Sequence, residues 1–303
     1  MKKKKVLILL AVAAVALTLR YYAPARVSAW VLLGRSQSCP YSNALQSGKE
    51  LAEQIRKKDE ILAASRLIVQ GPKGYRHWET PDGNYWVPNG SDYSLPYNLA
   101  EQARNIYGRN GRGVKPGDIV LDCGANVGVF TRASLKAGAK LVVAIEPAPE
   151  NIECLRRNFA EQVAEGRVIV YPKGVWDKDD FLELHVDPHN SAADSFVIDR
   201  EGWRKVEKVP LTTIDKLVEE LNLERVDFIK MDIEGAETRA IRGGKGTLAR
   251  FKPRMAISAY HQVDDPKRIP EAVREGWRDY KQECGPCAET RFGVRPDILY
   301  FFP

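Results

Sequence analysis

Three apolar residues, Ile119-Val-Leu121, run straight into Asp122-Cys-Gly124-Ala-Asn126-Val-Gly128, and a helical pattern opens directly after them. Glycines at such a strand-to-helix turn bring bare backbone amides up to a ligand. A second apolar stretch, Val142-Val-Ala-Ile, then ends in Glu146, 22 residues after Gly124. Two buried strands separated by one helix form a βαβ unit, which commits the strands to parallel pairing through a right-handed crossover.

The alternation continues to the end of the chain. Strands are expected at Ile119–Cys123, Leu141–Glu146, Val168–Tyr171, Phe228–Met231 and Met255–Ala259, with a final pair at Arg278–Gln282 and Ile298–Phe302. Helices are expected at 127–137, 149–163, 213–221, 236–249 and 267–275, and Phe181–Val186 reads as an extra strand paired across an Asp177–Asp180 turn. This is an α/β chain with a mostly parallel sheet. Ahead of it, 47–69 reads as a charged amphipathic helix. Tyr75–Val87 reads as a hairpin turning at Pro81-Asp82-Gly83, where proline presets φ and glycine supplies its positive value. Tyrosines 75, 85, 93 and 97 and tryptophans 78 and 86 crowd this stretch; packing onto the domain accounts for them better than a substrate platform does.

The carboxyl ends of these strands carry the chemistry. A dinucleotide site would show Gly-x-Gly-x-x-Gly, yet position 126 is Asn. Asp122 places a carboxylate at the turn, which suits a cationic ligand better than a pyrophosphate. Glu146 stands where Rossmann-like sites hold a ribose diol. A third apolar strand ends in Lys230-Met-Asp232-Ile-Glu234-Gly-Ala-Glu237, and a fourth in Ser258-Ala-Tyr260-His261. Acids in a helix's first turn complement its dipole, and Glu237 could do only that. Asp232 at a strand tip has no such ready explanation. The parallel arrangement brings Asp122, Glu146, Asp232 and His261 to one sheet edge.

The net charge of +6 suggests an anionic partner until it is located. Seven of the 46 bases fall within residues 1–35, which hold no acid, leaving 39 bases against 40 acids in the body. No basic patch or recognition motif remains there, so nucleic acid is excluded as a partner. After Lys2 to Lys5 come fourteen uncharged residues, Val6–Leu19, then Arg20, Arg26 and a second apolar patch at 30–33. A full span needs about 20 apolar residues and a secretory core about 7 to 15. Length favours a signal peptide with Val27-Ser28-Ala29 as its cleavage site. The two arginines favour an uncleaved anchor extending through Tyr21, Tyr22 and Trp30, and the anchor is the reading taken here. Residues 1–33 are thus expected at a membrane surface, with the catalytic domain on the cytoplasmic side.

The five cysteines do not form a disulfide framework. Cys284-Gly-Pro-Cys287 is expected to be a turn that contains two thiols, with a disulfide closing that loop as the alternative.

The ordered set Gly117–Thr131, Glu146-Pro147, Gly174–Asp177, Val209–Asp215, Phe228–Glu237 and Ala256–His261 resembles the FkbM family of S-adenosylmethionine-dependent methyltransferases over residues 75 to 303. The resemblance implies a Rossmann-like class I methyltransferase whose seven-stranded sheet has an antiparallel last strand. The resemblance falls on a chain whose sequence divides into a membrane anchor or signal-like segment (1–35), a helical linker (36–70), an aromatic-rich hairpin and helical lead-in (71–115) and a methyltransferase domain (116–303). It implies S-adenosylmethionine bound by Asp122, Gly124, Asn126, Gly128, Glu146 and Asp177, and a hydroxyl acceptor on a sugar, glycan or secondary metabolite. His261 is the first candidate for the proton-accepting base, because imidazole titrates near neutrality, and Asp232 is the second. Glu234, Glu237 and Tyr260 are candidates for substrate or divalent-metal contacts, though their spacing is not diagnostic of a metal. The competing readings are a nicotinamide-dependent oxidoreductase and a binding module without catalysis.

Overall fold

The computed structural model describes residues 2–36, 38–71, 74–290 and 293–303. Helices α1 (Lys2–Tyr21), α2 (Ala23–Leu32) and α3 (Tyr41–Ala63) come first, followed by the antiparallel strands β1 (Arg66–Gln70), β2 (Arg76–Thr80) and β3 (Gly83–Val87). Helix α4 (Ser94–Ala103) leads into β4 (Ile119–Cys123), α5 (Val129–Lys136), β5 (Leu141–Ile145), α6 (Pro149–Asn158), α7 (Ala160–Ala164) and β6 (Val168–Tyr171). A side sheet of β7 (Gly174–Val175), β8 (Asp180–Val186) and β9 (Arg204–Thr212) intervenes. The chain ends with α8 (Ile214–Glu220), β10 (Phe228–Met231), α9 (Glu237–Arg242), α10 (Lys245–Phe251), β11 (Arg254–Ser258), α11 (Asp265–Gly276), β12 (Lys281–Cys284), β13 (Cys287–Thr290), β14 (Gly293–Pro296) and β15 (Ile298–Phe302).

The main sheet has seven strands in the order β12-β15-β11-β10-β4-β5-β6. All run parallel except β15, which is antiparallel to both its neighbours. Period-two alternation feeds two cores. Leu121, Val143, Ile229 and Ile257 face Leu217, Ile241 and Val273 on one side, while Val120, Val142, Phe228 and Ala256 face Tyr107 and Phe130 on the other.

Several boundaries differ from the sequence expectation. The expected helix 47–69 begins earlier and stops at Ala63, because Leu67-Ile68-Val69 pairs with β2 as an edge strand. The expected helices 149–163 and 236–249 each break, the latter at Gly243-Gly244. A Cβ at 243 would sit 2.0 Å from the Trp176 carbonyl oxygen, so that approach requires glycine. Strand β8 does not pair back across the 177–180 turn; its partner is β9, which also pairs in parallel with β7. The β13–β14 hairpin was not anticipated.

The thiol-turn expectation at 284–287 is corrected as well. Cys287 is disulfide-bonded to Cys39, 248 residues away, and Cys284 is a free thiol 3.5 Å from the Cys287 sulfur. The bond fastens the segment between α2 and α3 to the β13–β14 hairpin. Around it Val27, Ala44, Cys287 and Val294 form a small core, and Arg26 donates to Glu289 at 2.9 Å. The expected linker is therefore packed: Glu50 of α3 accepts from Arg109 at 2.7 and 2.8 Å and also pairs with Arg104. Among the described residues no single helix is long and apolar enough to cross a membrane; α1 and α2 pass that test only together, and they meet at 102°.

One polar pair closes the centre of the main sheet. The register sets Lys230 on β10 beside Asp122 on β4. Alternation puts both on the same face, where Lys230 Nζ lies 3.4 Å from Asp122 Oδ1 and donates to the Gly124 carbonyl at 2.7 Å. Thr131 donates to the other Asp122 oxygen at 2.7 Å. Removing one partner of a buried pair strands the other charge, at a cost of about 3–5 kcal/mol. Lys230→Met should lose stability on that scale in urea unfolding, and adding Asp122→Asn should recover part of it. Thiol titration in denaturant should find three reactive groups, Cys123, Cys154 and Cys284, before reduction. It should find all five cysteines of the chain afterwards.

Candidate functional site

The strand order reverses between β4 and β10, so the connections leave their carboxyl ends in opposite directions and open a crevice there. Gly124 makes the closure possible. Its φ is +77°, and a Cβ would lie 1.9 Å from the Asp232 carbonyl oxygen. Asn126 also has positive φ, +50°, a conformation that asparagine tolerates. Its N–H donates to Glu146 Oε2 at 2.8 Å, and its side chain donates to the Ser191 carbonyl at 3.0 Å. Glu146 Oε1 accepts from Ala148 N at 3.0 Å and Asn151 Nδ2 at 3.3 Å. Burial raises the Glu146 carboxyl above its ordinary range against these donors.

Two cavities meet at this edge. The larger, about 310 Å³, is lined by Tyr93, Tyr97, Glu101, Tyr107, Lys230 and Tyr260. The smaller, about 40 Å³, lies between Glu146, Pro147, Gly174, Asp194 and Phe196. Gly124, Asn126, Ala192, Asp232 and Glu234 border both. The aromatic-rich stretch divides its work: Tyr75, Trp78, Tyr85 and Trp86 pack into the domain, as expected, whereas Tyr93 and Tyr97 reach the larger cavity.

Behind the shared wall sits His261, its side chain only 2% exposed. Nδ1–H donates to Glu237 Oε1 at 3.0 Å, and that oxygen also accepts from Ile233 N at 2.9 Å. Nε2 lies 3.5 Å from Asp232 Oδ1 and 3.4 Å from Glu234 Oε1 without a hydrogen bond to either. Burial works against the imidazolium, but Glu237 and Glu234 outweigh it and hold the His261 pKa well above the ordinary value. Burial also raises Asp232, yet Lys230, His261 and the hydrogen bond from Tyr107 leave it below the usual carboxylate range. Tyr107 donates to Asp232 Oδ2 at 2.9 Å. For Glu234, burial outweighs His261 and the carboxyl is raised.

The geometry redistributes the residues singled out by sequence. Gly124, Asn126, Glu146, Asp232, Glu234 and Tyr260 line the cavities. Asp122 is fully buried against Lys230 and Thr131, so it presents no charge to a ligand. Asp177 pairs with Arg239 at 2.8 Å, away from both cavities. Gly128 permits close packing of Phe159, whose ring a Cβ there would meet at 2.1 Å. Neither His261 nor Glu237 lines either of these two cavities. Asp232, Glu237 and His261 place donor atoms within 4.8 Å of one another, as a divalent-metal site would. In this arrangement the imidazolium supplies the positive charge and Glu237 is occupied by Ile233 and His261.

Sequence reasoning missed Lys230, although a lysine inside an otherwise apolar strand was a signal. It also missed Glu101, a buried carboxyl raised well above its ordinary range by burial and by Asp232 and Asp297. Asp194, raised by burial to about 8, was missed too.

Comparison with known proteins follows the same lines. The 2-O-methyltransferase NoeI of Sinorhizobium fredii is 28% identical over 155 residues, 46% of this chain and 62% of that protein. The hexuronic acid methyltransferase AglP of Haloferax volcanii is 25% identical over 158 residues, 52% of this chain and 62% of that protein. The match thus spans less than two thirds of either relative. A solved methyltransferase FkbM from Methylobacillus flagellatus KT superposes with a TM-score of 0.46 at 18% identity, covering 86% of this chain and 62% of that one. The family model of the methyltransferase FkbM domain matches residues 122–285, more than half of the chain, and the chain therefore belongs to the FkbM methyltransferase family.

Proposed function

We propose that this protein transfers the methyl group of S-adenosylmethionine to a hydroxyl of a sugar, glycan or related small acceptor. The observation that carries this reading is the junction of two cavities at the strand tips, one bordered by the Gly124 turn and Glu146, the other by tyrosines and carboxylates. The donor fits the first half by its chemistry. The Gly124 turn and Glu146 border the same cavity, and Glu146 places a carboxylate where a ribose diol would lie. When bound, S-adenosylmethionine supplies a methyl group already activated by its sulfonium. The chain's own task is then to hold the acceptor oxygen in line with that methyl group, keep water out and accept the hydroxyl proton. The tyrosine wall gives a sugar flat apolar faces and hydroxyl donors. NoeI and AglP, by their names a 2-O-methyltransferase and a hexuronic acid methyltransferase, support a carbohydrate acceptor.

Family membership, with Asn126 in place of a dinucleotide glycine, favours this reading over an oxidoreductase or a silent binding module. Calorimetry should show binding of S-adenosylhomocysteine and none of NADH, and Glu146→Gln should weaken the former about tenfold, as for one lost pair of hydroxyl hydrogen bonds. Incubation with methyl glycosides, neutral and uronic, should add one methyl group by mass. NADH binding without S-adenosylhomocysteine binding would reverse the assignment.

We further propose that α1 places the protein at a membrane surface with its catalytic domain on the cytoplasmic side, where the methyl donor is made. Val6, Leu7, Ile8, Leu9, Leu10, Val12, Val15 and Leu17 are all exposed and follow a run of lysines, a pattern suited to insertion beside anionic lipid. Removing residues 2–21 should abolish flotation with anionic liposomes. A carboxyl-terminal fluorescent-protein fusion should fluoresce in cells, while a periplasmic-phosphatase fusion stays inactive.

A further inference from the structure

The base of the proposed reaction must touch the acceptor, and His261 does not reach it: its side chain is 2% exposed, behind Asp232 and Glu234. Those two carboxylates stand in front of it, each about one fifth exposed and bordering both cavities. Asp232 is already committed, with Tyr107 donating to one oxygen and Lys230 and His261 flanking the residue. Among the described residues, Glu234 has only His261 beside it as a cation, at 3.4 Å.

The backbone is shaped to put Glu234 there. Its φ is +53°, a left-handed conformation that glutamate seldom adopts, and Gly235 follows at +96°. Ser195 Oγ pins the turn by donating to the Glu234 carbonyl at 2.7 Å. A Cβ at 235 would approach Gln262 Nε2 at 2.8 Å. Strained backbone held by its surroundings at a cavity wall is the usual mark of a side chain positioned for function.

We infer that Glu234 is the catalytic base that takes the acceptor's proton, and that His261, fixed through Nδ1 by Glu237, is the positioning residue that aims it. This rests on the methyl-transfer reading. In the step, a lone pair of the acceptor oxygen forms the new C–O bond as the methyl C–S bond breaks. The bonding pair leaves on the sulfur of S-adenosylhomocysteine, and the hydroxyl proton passes to a Glu234 carboxylate oxygen. Burial raises Glu234 toward the range where a carboxylate is a competent base. Among the described residues, the charged groups around it are His261 from the end of β11, Asp232 beyond β10, Glu237 of α9, Lys230 and Glu101 across the larger cavity, and Glu146 and Asp194 across the smaller.

The test compares wild type, E234Q, D232N and H261Q. S-adenosylhomocysteine affinity is read by calorimetry, and kcat is read against pH on whichever methyl glycoside wild type methylates. E234Q should bind S-adenosylhomocysteine within about threefold of wild type and lose at least ~10²-fold in kcat, the scale of general-base catalysis. H261Q removes the cation that lowers Glu234, so the acidic limb of kcat should move to higher pH, a shift that a merely structural histidine would not produce. An arm that needs no acceptor follows the His261 ring by NMR: E234Q removes a carboxylate that raises it, so its titration should move to lower pH. Turnover of E234Q within about threefold of wild type, an acidic limb lost in D232N but kept in E234Q, or an unchanged His261 titration would each overturn the inference. Failure of wild type itself to bind S-adenosylhomocysteine is a separate result, and it removes the methyl-transfer reading on which the inference stands.

Discussion

The contact of Lys230 with Asp122 and the Gly124 carbonyl holds the functional edge in shape. It bridges β4 and β10 where the strand order reverses, and it acts through both a carboxylate and a backbone oxygen. Asp122 beside it and Asp232 nearby keep the ammonium charged although burial opposes that. A cation there lets two acids gather around one crevice: Asp122 becomes scaffold and Asp232 stays below the usual carboxylate range, while the Gly124 turn lies close enough to Asp232 to exclude any side chain.

Much of that was legible in the sequence, for a definable reason. Buried parallel strands read as short apolar runs, and the residues immediately after them must lie at one sheet edge whatever the details of packing. Position alone therefore places Glu146, Asp232 and Tyr260 at the edge where the cavities lie. What position could not give was direction. Asp122 sits within β4 rather than beyond it, so alternation turns it into the layer of Val120 and toward Lys230. His261, the first candidate for the base, follows the tip of β11, yet its ring turns behind Asp232 and Glu234. An acid at a strand tip is visible in a sequence, but the cation that neutralises it is visible only in the register, which here sets Lys230 against Asp122.

Features that depend on long-range pairing were illegible for the same reason. Strand β8 lies next to a plausible turn, and nothing local says that its partner is β9, about twenty residues on, instead of β7. Cys39 and Cys287 are separated by nearly the whole chain, while Cys284 and Cys287 invite pairing by proximity. The fold decides otherwise because α2 and α3 return over the last hairpin, where Arg26 meets Glu289 and Val27 meets Val294. The leader's charge is thus not one block. Arg26 belongs to the folded body, and the lysines ahead of Val6 belong to α1.

Helix α3 and the last hairpin also adjoin the site. A third cavity, about 310 Å³, lies between α3 and the β13–β14 hairpin and is lined by Tyr97, Glu101 and Tyr260, which also line the larger site cavity. The same hairpin carries Cys287, so the disulfide fixes one wall of a space whose opposite wall belongs to the proposed acceptor site. The α3 contacts of Glu50 with Arg104 and Arg109 hold that wall from the other side. A segment that reads from sequence as a linker is, in the folded protein, part of the frame around the place where an acceptor would sit.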